Sequence, residues 1–147
     1  MKIQDITSDA ADTLRGIPVL AGREVIEEDK GNVETNIRTA IGKTSLCVVV
    51  GWNGFTPRIV GDTAPRGTPF GTVSVVVSVF ERPHVNRAKT GAPRLLDVAQ
   101  EVAKALDGAA SEGMEDVMHL KRIAPVAEVG AAGDVFTTVE FETKATL

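Results

Sequence analysis

The stretch Thr72-Val73-Ser74-Val75-Val76-Val77-Ser78-Val79-Phe80-Glu81 decides the fold. Val73, Val75, Val77 and Val79 point one way, while Thr72, Ser74, Val76, Ser78 and Phe80 point the other, so the spacing predicts a strand with a pure valine face. Branching at Cβ suits extended backbone, and ten residues at about 3.3 Å each give a strand of roughly 33 Å, long enough to be a central one. Helices are expected over the valine side. The other side mixes small hydroxyls with Val76 and Phe80, which predicts a thinner layer, or another subunit, over it.

Upstream, Ser45 to Trp52 contains Leu46-Cys47-Val48-Val49-Val50, the pattern of a strand buried on both faces and paired with Thr72 to Glu81. Residues 53–71 hold four glycines and three prolines among nineteen residues, so a long functional or mobile loop is expected, with Arg58-Ile59-Val60 as a brief strand within it. Trp52 and Phe55 at its root are expected as core or loop-anchoring residues, with an exposed contact role as the alternative. Downstream, Arg82 to Arg94 is a second irregular segment that carries four Lys/Arg and is punctuated by Pro83 and Pro93.

Farther out, Leu95, Val98, Ala99, Val102, Ala103 and Leu106 form one helical stripe ended by Gly108, the clearest helix of the chain. A first helix is expected from Ser8 as N-cap to Gly16 as a left-handed C-terminal residue, with Ile6, Ala10 and Leu14 on one face. Short extended segments follow around Ala21-Gly22, then a polar connection from Glu27 to Gly31. A helix capped by Asn32 carries Val33, Ile37, Ala40 and Ile41 and is expected to stop at Gly42. The end of the chain reads as a hairpin, Val117 to Glu128 broken at Pro125, a glycine turn, then Asp134 to Ala145 with period-two alternation. The order predicts a single α+β domain over residues 1–147, a mainly antiparallel or mixed sheet with helices packed on one face, and long loops at 53–71 and 82–94.

A chain of 147 residues buries roughly two thirds of its unfolded surface and needs no staples. Cys47 is alone, which excludes an intrachain disulfide and a cysteine zinc cluster, and its apolar neighbours mark it as a core residue in a reducing compartment. The acidic turn by Asp5 argues against a secretory leader, and the longest apolar run, Leu46 to Val50, is far short of the roughly 18 residues that span a bilayer. No membrane partner is expected. The net charge of −4 is unevenly divided: residues 1–55 carry 6 Lys/Arg against 8 Asp/Glu, residues 56–94 carry 6 against 2, and residues 95–147 carry 4 against 10. A basic middle and an acidic last third suit head-to-tail association of identical subunits.

Chemistry leaves few marks. Gly42-Lys43-Thr44 looks like part of a P-loop, but Ile37 stands where the first glycine belongs and a strand follows where phosphate binding needs a helix N-terminus. His84 and His119 have no ligand spacing around them, and no serine sits in a nucleophile elbow. No catalytic residue, metal site or cofactor is expected. The basic segment can meet phosphates, but it lacks interleaved aromatics and any groove-reading motif, which leaves only nonspecific proximity to DNA.

An N-terminal helix, the short Val19 to Ile26 segment, the polar Glu28-Asp29-Lys30-Gly31 link, the strands Leu46 to Val50 and Val73 to Phe80, the helix Leu95 to Leu106 and a closing hairpin together resemble the tail terminator (tail completion) proteins of long-tailed bacteriophages and prophages. The helix Val33 to Ile41 and the loop Asn53 to Gly71 lie outside that likeness. The resemblance implies a structural, non-enzymatic protein that forms a homo-oligomeric ring, commonly a hexamer. Such a ring caps the tail tube and joins it to the head-side connector protein, in the tail or neck of a virion assembled in the host cytoplasm. Arg82, His84, Arg87, Lys89 and Arg94 then become candidates for a subunit interface or for lying close to DNA. Another head-tail connector or tail ring component fits the same order of elements, and a small-ligand enzyme or binding domain stands as the reading from a different class.

Overall fold

The computed structural model describes residues 2–28, 31–58, 67, 69–87, 91–112, 114–130 and 133–147, with only the backbone at Arg87. The elements are α1 (Ile3–Arg15), a 3-10 turn (Pro18–Leu20), β1 (Val25–Glu27), α2 (Val33–Thr44), β2 (Leu46–Pro57), β3 (Phe70–Glu81), α3 (Pro83–Arg87), α4 (Leu95–Leu106), β4 (His119–Ile123), β5 (Ala127–Val129) and β6 (Asp134–Thr146). They build one mixed sheet in the order β1-β2-β3-β6-β4, with β5 also paired to β6. Only β1 and β2 are parallel, which is why a helix, α2, connects them; every other pairing is antiparallel. The α+β class follows.

Central β3 is paired along its length with both β2 and β6, and Val73, Val75, Val77 and Val79 are all fully buried. The same face continues through Val48 and Val50 on one side and Val139 and Phe141 on the other. It lies beneath Ile6, Ala10 and Leu14 of α1 and Val98, Val102 and Leu106 of α4, the stripes expected from helical spacing. Removing a valine side chain from water contributes roughly 1.5–3 kcal/mol, so this layer is the main source of stability.

The other face is only half covered. Helix α2 lies there, setting Ala40 and Ile41 against Ile26, Cys47 and Val49. The expectation of helices on one face thus holds for α1 and α4, and α2 forms a partial third layer. Over the rest of β3 and β6 the surface is open, with Phe80 stacked on Phe136 at 5.7 Å between ring centroids.

Several boundaries differ from the sequence reading. Helix α1 starts five residues before Ser8, with the Asp5 carboxylate accepting from the Lys2 N–H (3.3 Å), and Gly16 stays right-handed at φ −88°. Ser8 is therefore inside the helix. Helix α2 passes through Gly42 and ends at Ser45, which takes the left-handed position at φ 64°. Its N-cap is as expected, with Asn32 Oδ1 accepting from the Thr35 N–H (3.2 Å). The first of the two extended segments is a 3-10 turn.

Strands β2 and β3 reach farther than the residue types suggested, pairing out to Pro57 and Gly71 across a bulge between Trp52 and Phe55. A Cβ at Gly71 would collide with the backbone of Thr56 and Pro57, so the bare backbone permits that close approach. Trp52, expected in the core, is 48% exposed beside the bulge, whereas Phe55 packs against the main core. Of the brief strand expected at Arg58-Ile59-Val60, Ile59 and Val60 lie outside the described residues. The second irregular segment contains the short helix α3.

Candidate interaction site

The alternation that buries the β3 valines carries on to Glu81, whose carboxylate is only 3% exposed at the end of the strand. Burial of a carboxylate is costly unless its lone pairs are used. Here Glu81 Oε2 accepts from Asn86 Nδ2 (2.6 Å) and from the Leu95 N–H (3.2 Å), one of the free donors at the start of α4, and Arg94 Nε lies 3.5 Å away. Asn86 is fully buried and also donates to the Pro93 carbonyl (2.8 Å). Asn86 within the basic segment and Arg94 at its end are thereby held to one buried carboxylate.

The candidate interface residues fall into three groups. Arg82 makes a two-pronged pair with Asp134 at 3.0 and 3.3 Å, and the hydrogen bond to that carboxylate raises the guanidinium above its ordinary pKa. Arg94 is tied to Glu81. His84 is exposed on α3, next to Val85, which is 46% exposed. Arg87 closes α3 with its side chain outside the description, and Lys89 lies outside the described residues altogether. Part of the charge contrast between the middle and the last third of the sequence is thus met inside one chain, and Lys121–Glu142 (3.1 Å) and Arg122–Glu140 (3.1 Å) neutralise more of the last third.

A groove of about 390 Å³ opens on the uncovered face, between α2 and β6. Val33, Ile37, Val76 and Phe80 supply apolar surface, the short side chains of Ser78 and Thr138 leave space above the sheet, and Trp52 completes the lining. Glu28 and Glu140 are the acids of the lining. The Glu28 carboxylate lies directly over Gly51, where any Cβ would collide with it.

A second cleft, of about 310 Å³, is lined by Arg15, Glu24, Asn36, Thr39 and Lys43 among others. At its base the buried Glu27 carboxylate accepts from Ser8 Oγ (2.6 Å) and Arg15 (3.0 Å). Burial works against the Arg15 charge, yet the bonds to Glu27 and Asp12 more than offset it and hold the guanidinium above its ordinary value. Glu27, expected in a polar connection, is in β1. Its partners are a cation and a hydroxyl already bonded to it, an arrangement that tethers α1 to the sheet edge.

Elsewhere, Cys47 is fully buried, and burial pushes its thiol up to about 12, well away from nucleophile range. His119 pairs with Asp116 at 3.0 Å, and that hydrogen bond holds the aspartate below its ordinary pKa. Among the described residues, no three His, Cys, Asp or Glu side chains are grouped for a metal ion, and no helix is long and apolar enough to cross a membrane.

Neither buried carboxylate was singled out from the sequence. For Glu81 the signal was present, since odd-numbered positions from Val73 onward share one face. For Glu27 it was hidden, because a three-residue strand is too short to show a period.

No family model matches the chain, and no curated protein matches it. A chain of a solved structure described as the virion of a native gene transfer agent (GTA) particle has the same fold: the TM-score is 0.66 at 17% identity, over 98% of this chain and 96% of that one. Likeness at that identity extends to the fold, over nearly the whole of both chains.

Proposed function

We propose that this protein is a structural subunit of a phage-like virion, and within it a tail terminator: a ring of identical copies that caps the tail tube and joins it to the head-side connector. The observation that carries the reading is the nearly full-length fold likeness to a chain of a gene transfer agent virion. The order of elements that resembles tail terminators adds the finer assignment, including a hexameric ring. In this reading the protein is not an enzyme and needs no cofactor; its partners are its own copies, the tail tube protein and the connector protein, in the tail or neck of a virion assembled in the host cytoplasm.

The segment from Arg82 to Arg94 serves as the contact with a neighbouring copy or lies close to DNA. The hold of Glu81 on Asn86, and of Asn86 on the Pro93 carbonyl, supports this role, because residues already held in place lose less entropy on docking than free ones. Electron microscopy of the purified protein and of particles made with and without it tests the assignment. Rings, and particles whose tails fail to complete without the protein, are expected. Normal tails formed in its absence overturn the reading.

A further inference from the structure

The bulge that leaves Trp52 half exposed also frees the two residues after it. Trp52 pairs with Val75 and Phe55 with Val73, so Asn53 and Gly54 stand together opposite the one residue Ser74, and neither has a partner in the ladder. Gly54 is at positive φ (116°), and a Cβ added there would find nothing within 4 Å. The peptide between the two residues can therefore turn without a clash. Asn53 is exposed, and its amide has no hydrogen-bond partner among the described residues. The other asparagines are all held: Asn32 caps α2 and precedes the branched Val33, Asn36 lies within α2, and Asn86 is fully buried and donates to Glu81 and to the Pro93 carbonyl. The related pair Asp107-Gly108 is locked as well, since the Gly108 N–H donates to the Met118 carbonyl (2.7 Å) and the Asp107 carboxylate accepts from the Leu120 N–H (3.0 Å).

We propose that Asn53 is a self-modifying site, at which the side-chain amide is lost and a carboxylate takes its place. The Gly54 backbone nitrogen gives its proton to hydroxide and attacks Cγ of Asn53, forming a C–N bond that closes a five-membered succinimide ring. The bond from Cγ to the amide nitrogen breaks, and that nitrogen leaves as ammonia with a proton taken from water. Water then opens the ring. Opening at one carbonyl gives aspartate, and opening at the other gives isoaspartate, in which the main chain runs through the side-chain carbon. The balance is one water consumed and one ammonia released. Glycine suits the attack because no Cβ shields its nitrogen, and the bulge suits it because the ring closes where neither residue is paired with β3. The new charge enters the open face of the sheet: Asn53 lines the groove with Glu28 and Glu140, and the neighbouring cleft with Lys121 and Arg122. The groove thus becomes more acidic as the protein ages. The methylene that isoaspartate adds to the main chain falls where the strand is already out of register, so the pairing of Leu46 to Trp52 with β3 is kept.

The test holds the full chain at mildly alkaline pH, folded and in parallel unfolded in urea, and maps its peptides by mass spectrometry over time. In the folded chain, loss of ammonia is expected at Asn53 alone, with aspartate and isoaspartate both formed and the rate rising with pH. Isoaspartate at Asp107 is expected only in urea, where its locks are gone. The aged folded protein gains a negative charge and comigrates with Asn53→Asp on isoelectric focusing. Asn53→Gln, which needs a larger ring, stays unmodified at that position, and Gly54→Ala reacts more slowly because a Cβ hinders the attacking nitrogen. A folded rate at Asn53 within about tenfold of the unfolded rate supports the proposal. A folded rate slower by more than about tenfold, the equivalent of about 1.4 kcal/mol of added barrier, overturns it, because the bulge then holds the peptide rigid. Ammonia lost first from Asn32, Asn36 or Asn86 in the folded chain also overturns it, as does a Gly54→Ala rate equal to the parent's.

Discussion

The two faces of the sheet share the same strands and differ in almost everything else. On the α1/α4 side, β3 presents four valines at zero exposure, all of one shape and all in one core cluster with the helical stripes. On the other side the same strand presents Ser74, Val76, Ser78 and Phe80, none of them fully buried, with α2 covering only the β1–β2 half. One face is closed by its own chain and the other is not. Stability belongs to the first, and the second offers room for a partner.

The sharpest test of that contrast exchanges one residue on each face. Val77→Asp puts an unpaired carboxylate into the closed layer, at a cost of about 3 kcal/mol or more, a large part of the whole stability of a domain. Loss of soluble, cooperatively melting protein is expected. Ser78→Asp, one residue along, is expected to change stability by less than about 1 kcal/mol, because its side chain stays in reach of water. Equal damage from both, measured by thermal unfolding, would mean that the open face is closed after all.

Next in size is the carboxylate that the closed face does tolerate. Glu81→Ala removes the acceptor used by Asn86 Nδ2 and by the Leu95 N–H, leaving buried donors unsatisfied at a cost of roughly 2–4 kcal/mol. Denaturant unfolding reads this directly. Since Glu81 ties the basic segment to the start of α4, the same change is expected to raise amide exchange from Asn86 to Val98 above that in β3. A uniform rise across both elements would break the link between this carboxylate and the segment.

Cys47 reports on the half of the open side that α2 does cover. Burial opposes the thiolate and, with Glu24 adding to the effect, pushes the folded thiol up to about 12 from its ordinary 9.0. A folded pKa raised above the unfolded one gives stability that is complete below pH 9 and is lost as pH climbs toward about 12. Within that window the parent is expected to lose up to about 1 kcal/mol per pH unit relative to Cys47→Ala. Parallel stability curves for the two proteins would show that α2 does not shield the thiol from water.

Much of this contrast is legible in the residues. The valine alternation, the Leu95 to Leu106 stripe and the antiparallel pairing of β2 with β3 follow from periods that tertiary packing reinforces. What escaped is where local rules are overridden. Ser8 has the chemistry of an N-cap, yet Glu27 uses its hydroxyl from 19 residues away, and the helix runs past it. Gly42 looks like a stop, yet α2 continues two residues farther because Ser45 accepts the left-handed position. Trp52 has the size of a core residue, but the bulge beside it leaves the ring half exposed. The site was legible only in part: the basic segment stands out by composition, while its clamp at Glu81 and the acidic groove depend on contacts between residues far apart in sequence.

The smallest expected effect concerns Arg82, and it separates charge that works within the chain from charge that works outward. Arg82 is 38% exposed at its side chain and already bonded through both prongs to Asp134, so its attraction is partly screened by water and largely spent inside one copy. Arg82→Ala is therefore expected to cost less than about 1 kcal/mol of folding stability, and the difference should shrink further as salt is raised. Because the guanidinium is engaged by Asp134, its removal should change self-association less than Val85→Asp does, although Arg82 carries a full charge and Val85 none. Sedimentation of the two variants side by side decides the matter. If Arg82→Ala disrupts association more strongly than Val85→Asp, then the pair with Asp134 opens at the interface, and the outward face of the basic segment begins at Arg82 and not at α3.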